Sequence, residues 1–137
     1  MKRAYRLRRP DQFQRVRRTG RGVAHPWLFL NVAPNQRRQT RCGFIVGKRI
    51  GNAVLRNRAR RRMREAVRLV FQHITAGFDI VFVIRTAEVA SVPFPALQSA
   101  VEQLLRRATL WRDHDSPATA PPEKELDLRE APSPPPL

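Results

Sequence analysis

Arginine supplies nearly all the chemistry this chain can offer, and one stretch concentrates it. From Gly47 to Arg68 the sequence reads GKRIGNAVLRNRARRRMREAVR, in which nine of 22 residues are Lys or Arg and Glu65 alone is acidic. Guanidinium groups are planar, forked donors that stay charged at any physiological pH. Their chemistry is recognition of phosphate and stacking on bases, not proton transfer. Residues that move protons or hold metals are scarce. His25, His73 and His114 are scattered without metal-ligand spacing, and Asp11, Glu65, Asp79, Glu88 and Glu102 are the only carboxylates before residue 112. That set is too dispersed to suggest a metal site or an acid/base pair. No glycine-rich nucleotide loop is present. Cys42, the single cysteine, excludes an internal disulfide and a cysteine-based zinc site, has no evident base beside it, and reads as a small core residue. No catalytic or metal-binding residue is therefore assigned, and any catalysis must draw its reactive groups from a partner.

A helix must position the arginines. With about 100° per residue, Leu55, Ala59, Met63, Ala66 and Val70 fall in one sector, and Asn57, Arg60, Arg61, Arg64 and Arg68 fall opposite. A helix from about Ala53 to Gln72, roughly 30 Å long, would bury one stripe and hold a row of guanidinium groups in water. Like charges at i, i+4 such as Arg56/Arg60 and Arg60/Arg64 oppose the helix, and a polyanion would relieve them. Gly47, Gly51 and Asn52 form a turn that brings Lys48 and Arg49 beside the helix start, where backbone N–H groups favour phosphate. Asn52 is the expected N-cap. A face that serves only solubility mixes signs, and this one almost never does.

The 137 residues suit one domain, and the net charge of +16 is unevenly spread. Up to residue 111 there are 24 Lys/Arg against 5 Asp/Glu, whereas residues 112–137 hold 3 against 6. Such a field points to nucleic acid first and anionic membrane second. No apolar run reaches the ~18 residues of a membrane span, and Met1 to Arg9 leads into no signal-peptide core, so a cytoplasmic protein is expected. Residues 1–111 read as the folded domain. Residues 112–137, with seven of the 12 prolines, read as a disordered tail.

The remaining elements follow in order. Met1 to Arg9 is a basic arm with Leu7 as its anchor, and Pro10 to Arg18 reads as a short helix stopped at Gly20. Phe13 and Val16 share a face with Arg17 beside them. Core packing is the simpler reading of Phe13, although a half-exposed aromatic flanked by arginine also stacks unpaired bases. Gly22 to Ala33 is extended and interrupted by Pro26, and Arg41 to Val46 is a further strand. Joined by the polar turn Pro34 to Thr40, these two strands most simply pair antiparallel. Gly77 ends the connection after the arginine helix, and Asp79 to Ile84 is a continuous apolar strand expected at the sheet centre. Arg85 and Thr86 close that strand, facing either a ligand or solvent. Phe94 to Trp111 is a last helix with the stripe Leu97, Val101, Leu104, Leu105 and Ala108, and Arg106 and Arg107 suit its C-terminus.

The stretch GKRIGNAVLRNRARRRMRE closely resembles the signature of the bacterial ribonuclease P protein subunit, an Arg-Asn-Arg motif followed by further basic residues on a helix. Leu7 with Asp11, Gln12 and Phe13 resembles that family's first helix, Gly43 opens a strand running into the signature, and Asp79 to Arg85 resembles its late strand. The resemblance covers about residues 5 to 111. It implies an α+β fold, a small single-domain two-layer sandwich of order αβββαβα, whose central sheet has a left-handed crossover through the Arg-rich helix, against the usual rule. It implies a protein that assists a large catalytic RNA, which with Mg²⁺ removes the 5′ leader of precursor tRNA. The partners implied are ribonuclease P RNA and precursor tRNA, with no membrane and no small-molecule substrate. Lys48, Arg49, Asn52, Arg56, Asn57, Arg58, Arg60, Arg61, Arg64 and Arg68 are implied to face the catalytic RNA, and Phe13, Arg17, Phe29, Asn31 and Arg85 the leader. Many relatives carry aromatics where this chain has Arg17 and Asn31, so weaker stacking or its replacement by Arg contacts is expected there.

Two rival readings remain. A structural RNA-binding protein, such as a small ribosomal protein, would share the charge but need no leader groove. A protein-only nuclease would lose cleavage when Asp11, Glu65 or Asp79 is singly replaced by Asn or Gln, whereas an RNA-catalysed enzyme would keep it nearly intact.

Overall fold

In the computed structural model, residues 5–113 are described. Helix α1 (Pro10–Thr19) leads into strands β1 (Arg21–Ala24), β2 (Leu28–Pro34) and β3 (Arg41–Val46). Helix α2 (Ala53–Val70), strand β4 (Phe78–Ile84) and helix α3 (Phe94–Arg107) complete the order αβββαβα. The tail read from residue 112 onward lies, from residue 114, outside the described residues.

Local signals account for most boundaries. Pro10 opens α1, whose first turn is closed by Gln12 Oε1 accepting the Arg8 and Arg9 amides at 3.0 Å. Pro26 divides the extended segment into a β1–β2 hairpin, with Arg21 opposite Val32 and Ala24 opposite Phe29. Asn52 Oδ1 accepts the Leu55 amide at 2.9 Å, the cap expected of α2. Helix α2 ends at Val70 and a single 3-10 turn, Phe71–His73, replaces the last residues assigned to it by periodicity.

The sheet order is β1-β2-β4-β3. Strand β4 is central as expected, antiparallel to β2 and parallel to β3. The expected pairing of β2 with β3 is therefore corrected: the two run in opposite directions but β4 lies between them. Its residues Ile80, Val81, Phe82 and Ile84 are all buried, so it must be covered on both faces, and the central place achieves that. Parallel pairing with β3 requires a crossover, which α2 supplies.

Two cores of unequal size result. The larger lies between the sheet and α2/α3, where Leu28, Leu30, Ile80 and Phe82 meet Met63, Val67, Leu97, Val101 and Leu104. The predicted stripe of α2 is buried except for half-exposed Leu55, and that of α3 is buried throughout. On the opposite face, α1 covers only one end of the sheet, with Leu7, Val16, Ala33 and Val81 buried beneath it and Phe13, Ile45 and Val83 half-buried at the margin. The rest of that face is open.

Helix α3 stops at Arg107, short of the Trp111 expected from its stripe. Thr109 takes a left-handed φ of 59°, Leu110 N–H donates to Leu105 O at 2.8 Å and Thr109 N–H to Arg106 O at 3.0 Å, a Schellman ending with Leu110 buried as its apolar clasp. Trp111 instead bridges to Ile74 and stacks on His73, ring centroids 4.6 Å apart. Threonine pays a steric penalty in this region, so Thr109→Gly is expected to raise stability by about 0.5–1 kcal/mol. A thermal melt with an unchanged or lower midpoint would contradict this.

Candidate nucleic-acid interface

The arginines of α2 are not equivalent. Arg62 faces inward, donating through Nη1 to Val89 O at 2.9 Å and through Nη2 to Val92 O, and so ties α2 to the 3-10 turn Ala87–Ala90. Arg68 is paired with Glu65 at 2.6 Å; the hydrogen bond from Arg68 holds the Glu65 carboxyl below its ordinary range. Arg56 folds back on Gly51 O at 3.2 Å, and Asn57 Oδ1 accepts from Arg60 Nη1 at 2.9 Å, orienting that guanidinium. Asn52 spends its side chain on the cap. Arg58, Arg61 and Arg64 make no hydrogen bond or ion pair to other described residues, and Arg58 and Arg61 are exposed. Before the helix, the 3-10 turn Lys48–Ile50 presents exposed Lys48 and Arg49 beside the first helical amides. Gly51 closes this turn at φ 144°, where a Cβ would also strike Leu55 Cδ2. Of the residues assigned to the catalytic RNA, Lys48, Arg49, Arg58, Arg61 and Arg64 are thus free to bind, Arg60 is oriented by Asn57, and Asn52, Arg56, Asn57 and Arg68 are already engaged.

The open half of the sheet forms a second surface. Arg17, Phe29 and Arg85 line one concavity of about 420 Å³ with Pro26, Arg49, Val83, Ile84 and Thr86. Phe13 and Arg17 line an adjoining one of about 430 Å³ with Gln14, Arg18 and Ile45. Arg17 is common to both, so they form one groove with an apolar floor and arginine on its rims. Both aromatics occupy space left by glycine: a Cβ on Gly22 would lie 2.4 Å from the Phe29 ring, and one on Gly43 the same distance from the Phe13 ring. Arg85 is steadied at the rim by donating to His25 O at 3.1 Å.

Asn31 stands on the same sheet face yet is only 6% exposed, lines neither concavity, and has its Oδ1 buried without a partner. It does not join the other four predicted groove residues. Sequence reasoning missed Ile45, Val83 and Arg18. Ile45 and Val83 had a usable signal, because each is an apolar residue on the strand face opposite the main core.

The carboxylates are turned to structural use. Asp79 is fully buried and receives four hydrogen bonds: Arg41 Nε at 2.9 Å, Arg41 Nη2 at 2.8 Å, Arg15 Nη2 at 2.8 Å and Asn35 Nδ2 at 2.8 Å. Burial pushes the Asp79 carboxyl up, but the bonds from Arg41, Asn35 and Arg15 outweigh it and hold it below its ordinary range. Both oxygens are occupied by cationic or amide donors, which leaves no place for a metal ion. Among the described residues no group of three or more His, Cys, Asp or Glu could hold one. Burial drives the Cys42 thiol far up, so it is inert. Among the described residues no helix is long and apolar enough to cross a membrane.

Comparison with known proteins gives a consistent result. The family model described as Ribonuclease P matches residues 1–109. The ribonuclease P protein component of Chloroflexus aurantiacus is 61% identical over 110 residues, 80% of this chain and 82% of that protein. That of a Roseiflexus species is 56% identical over 116 residues, 85% of this chain and 95% of that one. The solved Staphylococcus aureus RNase P protein superposes with a TM-score of 0.70 at 29% identity, covering 79% of this chain and 98% of that one.

Proposed function

The chain belongs to the ribonuclease P protein family, and from that premise we propose that it binds the catalytic RNA through α2 and the 5′ leader of precursor tRNA through the sheet groove. As a ribonuclease P protein component it takes part in tRNA processing. In the proposed role it assists Mg²⁺-dependent removal of the leader, in the cytoplasm, with the reactive groups and the metal ions held by RNA. The described residues of the protein do not fit a metal site of their own.

One observation carries this reading. Arg49 lies beside the start of α2 and also lines the groove with Arg17, Phe29 and Arg85. The two surfaces are therefore continuous. An RNA on α2 and a single strand in the groove would meet at Arg49, which suits a protein that holds a substrate leader against a catalytic RNA. The groove's floor of Phe13, Phe29, Ile45 and Val83 accepts base faces, while arginine at its rim accepts phosphates. A structural RNA-binding protein gains nothing from such a groove. The protein lowers the repulsion between two polyanions, an electrostatic contribution that matters most when Mg²⁺ is scarce.

The test is cleavage of precursor tRNA at low Mg²⁺ by the cognate RNA, with and without the protein, beside the protein alone. Activity confined to the combined reaction is expected; RNA binding without stimulation would favour the structural role. For the groove, Arg17→Ala with Phe29→Ala is expected to weaken binding of leader-bearing precursor by about tenfold or more, given ~1–3 kcal/mol per stacked base. Mature tRNA, which has no leader, should bind the complex as before. Equal losses for both RNAs would remove the leader from the groove.

A further inference from the structure

A third concavity lies at the outer edge of β3, between the N-terminal arm and α2, and shares Phe13 with the groove. It is lined by Arg6 and Arg8 of the N-terminal arm, Arg60 and Arg64 of α2, and a floor that includes Phe13 and Phe44. The arm reaches this edge by forming a single bridge: Arg6 pairs with Cys42, Leu7 N–H donates to Cys42 O at 3.0 Å, and the Leu7 side chain is buried.

The polar groups here are incomplete. Among the described residues, the buried side-chain nitrogens without a hydrogen-bond partner are Nε of Arg6 and Nε of Arg64, and both residues line this one concavity. Buried donors are almost always paired, so an orphaned pair marks a missing acceptor. The four arginines also repel one another, with no carboxylate among the lining residues to offset them. An anion that accepts from several guanidinium edges at once satisfies both conditions, and a tetrahedral phosphate has that shape. At about 210 Å³ the space is smaller than the ~300–1,000 Å³ of ordinary small-molecule sites, which suits a phosphate group rather than an entire nucleotide.

We propose that this concavity is a clamp for one backbone phosphate of the catalytic RNA, gripped between Arg6 and Arg8 on the arm and Arg60 and Arg64 on α2. The proposal rests on the reading of α2 as the face for that RNA. It adds that the bound phosphate fastens the arm, already lying beside the helix, to α2. The arm is already held by buried Leu7, the backbone bond to Cys42, the Arg8 amide bonded to Gln12 and the Tyr5 ring 4.9 Å from that of Phe71, and the phosphate adds a tie between its guanidinium groups and those of α2.

The test uses the full chain with its cognate catalytic RNA. An Arg6→Gln/Arg8→Gln variant is compared with Arg9→Gln, which removes a charge from the same arm at a residue paired with Asp11 outside the concavity. Affinity is measured across salt concentrations, and hydrogen exchange is followed at the Leu7 amide. The double variant is expected to bind about tenfold more weakly, with a salt dependence shallower by one phosphate contact, ~0.7–0.9 in the log–log slope. RNA should slow Leu7 exchange in the native protein and in Arg9→Gln but not in the double variant. Inorganic phosphate alone is the second arm, and should slow that exchange only weakly at millimolar concentration. Native affinity and slope in the double variant would overturn the clamp, and so would Leu7 protection by micromolar phosphate equal to that by RNA, which would assign the site to a free anion. If stimulation of precursor cleavage persists in either case, the cofactor role stands without the clamp. If the native protein itself fails to stimulate, the cofactor role falls instead.

Discussion

Asp79→Asn is expected to remove about 2–4 kcal/mol of folding stability, because it leaves the mostly buried Arg41 and the part-exposed Arg15 guanidinium groups facing an uncharged side chain. Asp79 is fully buried, and Arg41, its bidentate partner, is only 14% exposed. Asparagine keeps one acceptor oxygen but turns an NH₂ group toward donors from Arg15, Arg41 or Asn35, so at least one pair becomes two opposed donors. The cluster joins α1, the β2–β3 loop, β3 and β4, and its loss loosens four segments together. Against the ~5–15 kcal/mol that stabilises an ordinary domain, this is a large share. Urea unfolding followed by circular dichroism measures it, and a loss under ~1 kcal/mol would refute the assignment.

The pH dependence gives the same interaction a second reading. The folded Asp79 carboxyl is held below its ordinary range, so the unfolded chain takes up its proton first as pH falls. The contribution is complete above the unfolded value of ~3.9 and is lost progressively below it, through the lower folded value. Native protein should lose stability below about pH 4, and Asp79→Asn should show a flatter profile there. The cleavage test that replaces carboxylates must be revised accordingly. Asp11 and Glu65 are exposed or half-exposed partners of arginines and remain fair probes of a protein-borne active site. Lost activity in Asp79→Asn would report unfolding, and it carries weight only when the folded fraction is measured alongside.

Replacing Arg60, Arg61 and Arg64 together with Ala is expected to lower affinity for the catalytic RNA by about 100- to 1,000-fold near 0.1 M salt, and to flatten its salt dependence by about two to three phosphate contacts. Stimulation of cleavage at low Mg²⁺ should fall with it. Folding should not suffer: alanine is the best helix former, and the change removes the i, i+4 repulsion between Arg60 and Arg64. Arg62→Ala is the counterpart. It leaves the carbonyls of Val89 and Val92 without their donor, so stability should drop while the salt slope per bound RNA stays at the native value. Arg68→Ala should do little to either, since Glu65 already neutralises that charge. A triple variant with native affinity and slope would move the RNA contact off this helix face.

The sequence by itself determined the chemistry and the elements. Helical periodicity, capping by Asn52 and the excess of arginine are local properties, so the buried stripe of α2, its exposed basic face and the poverty of acid/base groups could all be read residue by residue. The central place of β4 was legible too, because a strand apolar on both faces can be covered nowhere else. Chain order could not show that β4 would separate β2 from β3, since that pairing depends on the crossover through α2. Nor could periodicity foresee the early stop of α3, where threonine instead of glycine takes the left-handed position.

The functional division among arginines was decided only in three dimensions. Arg61 and Arg62 are adjacent and chemically identical, yet one is free and the other is bonded to carbonyls 27 and 30 residues away. Phe13 and Phe29 became groove residues because glycines from neighbouring strands lie beneath their rings. Asp79 became a structural anchor because arginines 64 and 38 residues distant converge on it. Charge and amphipathicity are carried by the chain, but which donor is spent and which remains available depends on partners that only folding brings within hydrogen-bond reach.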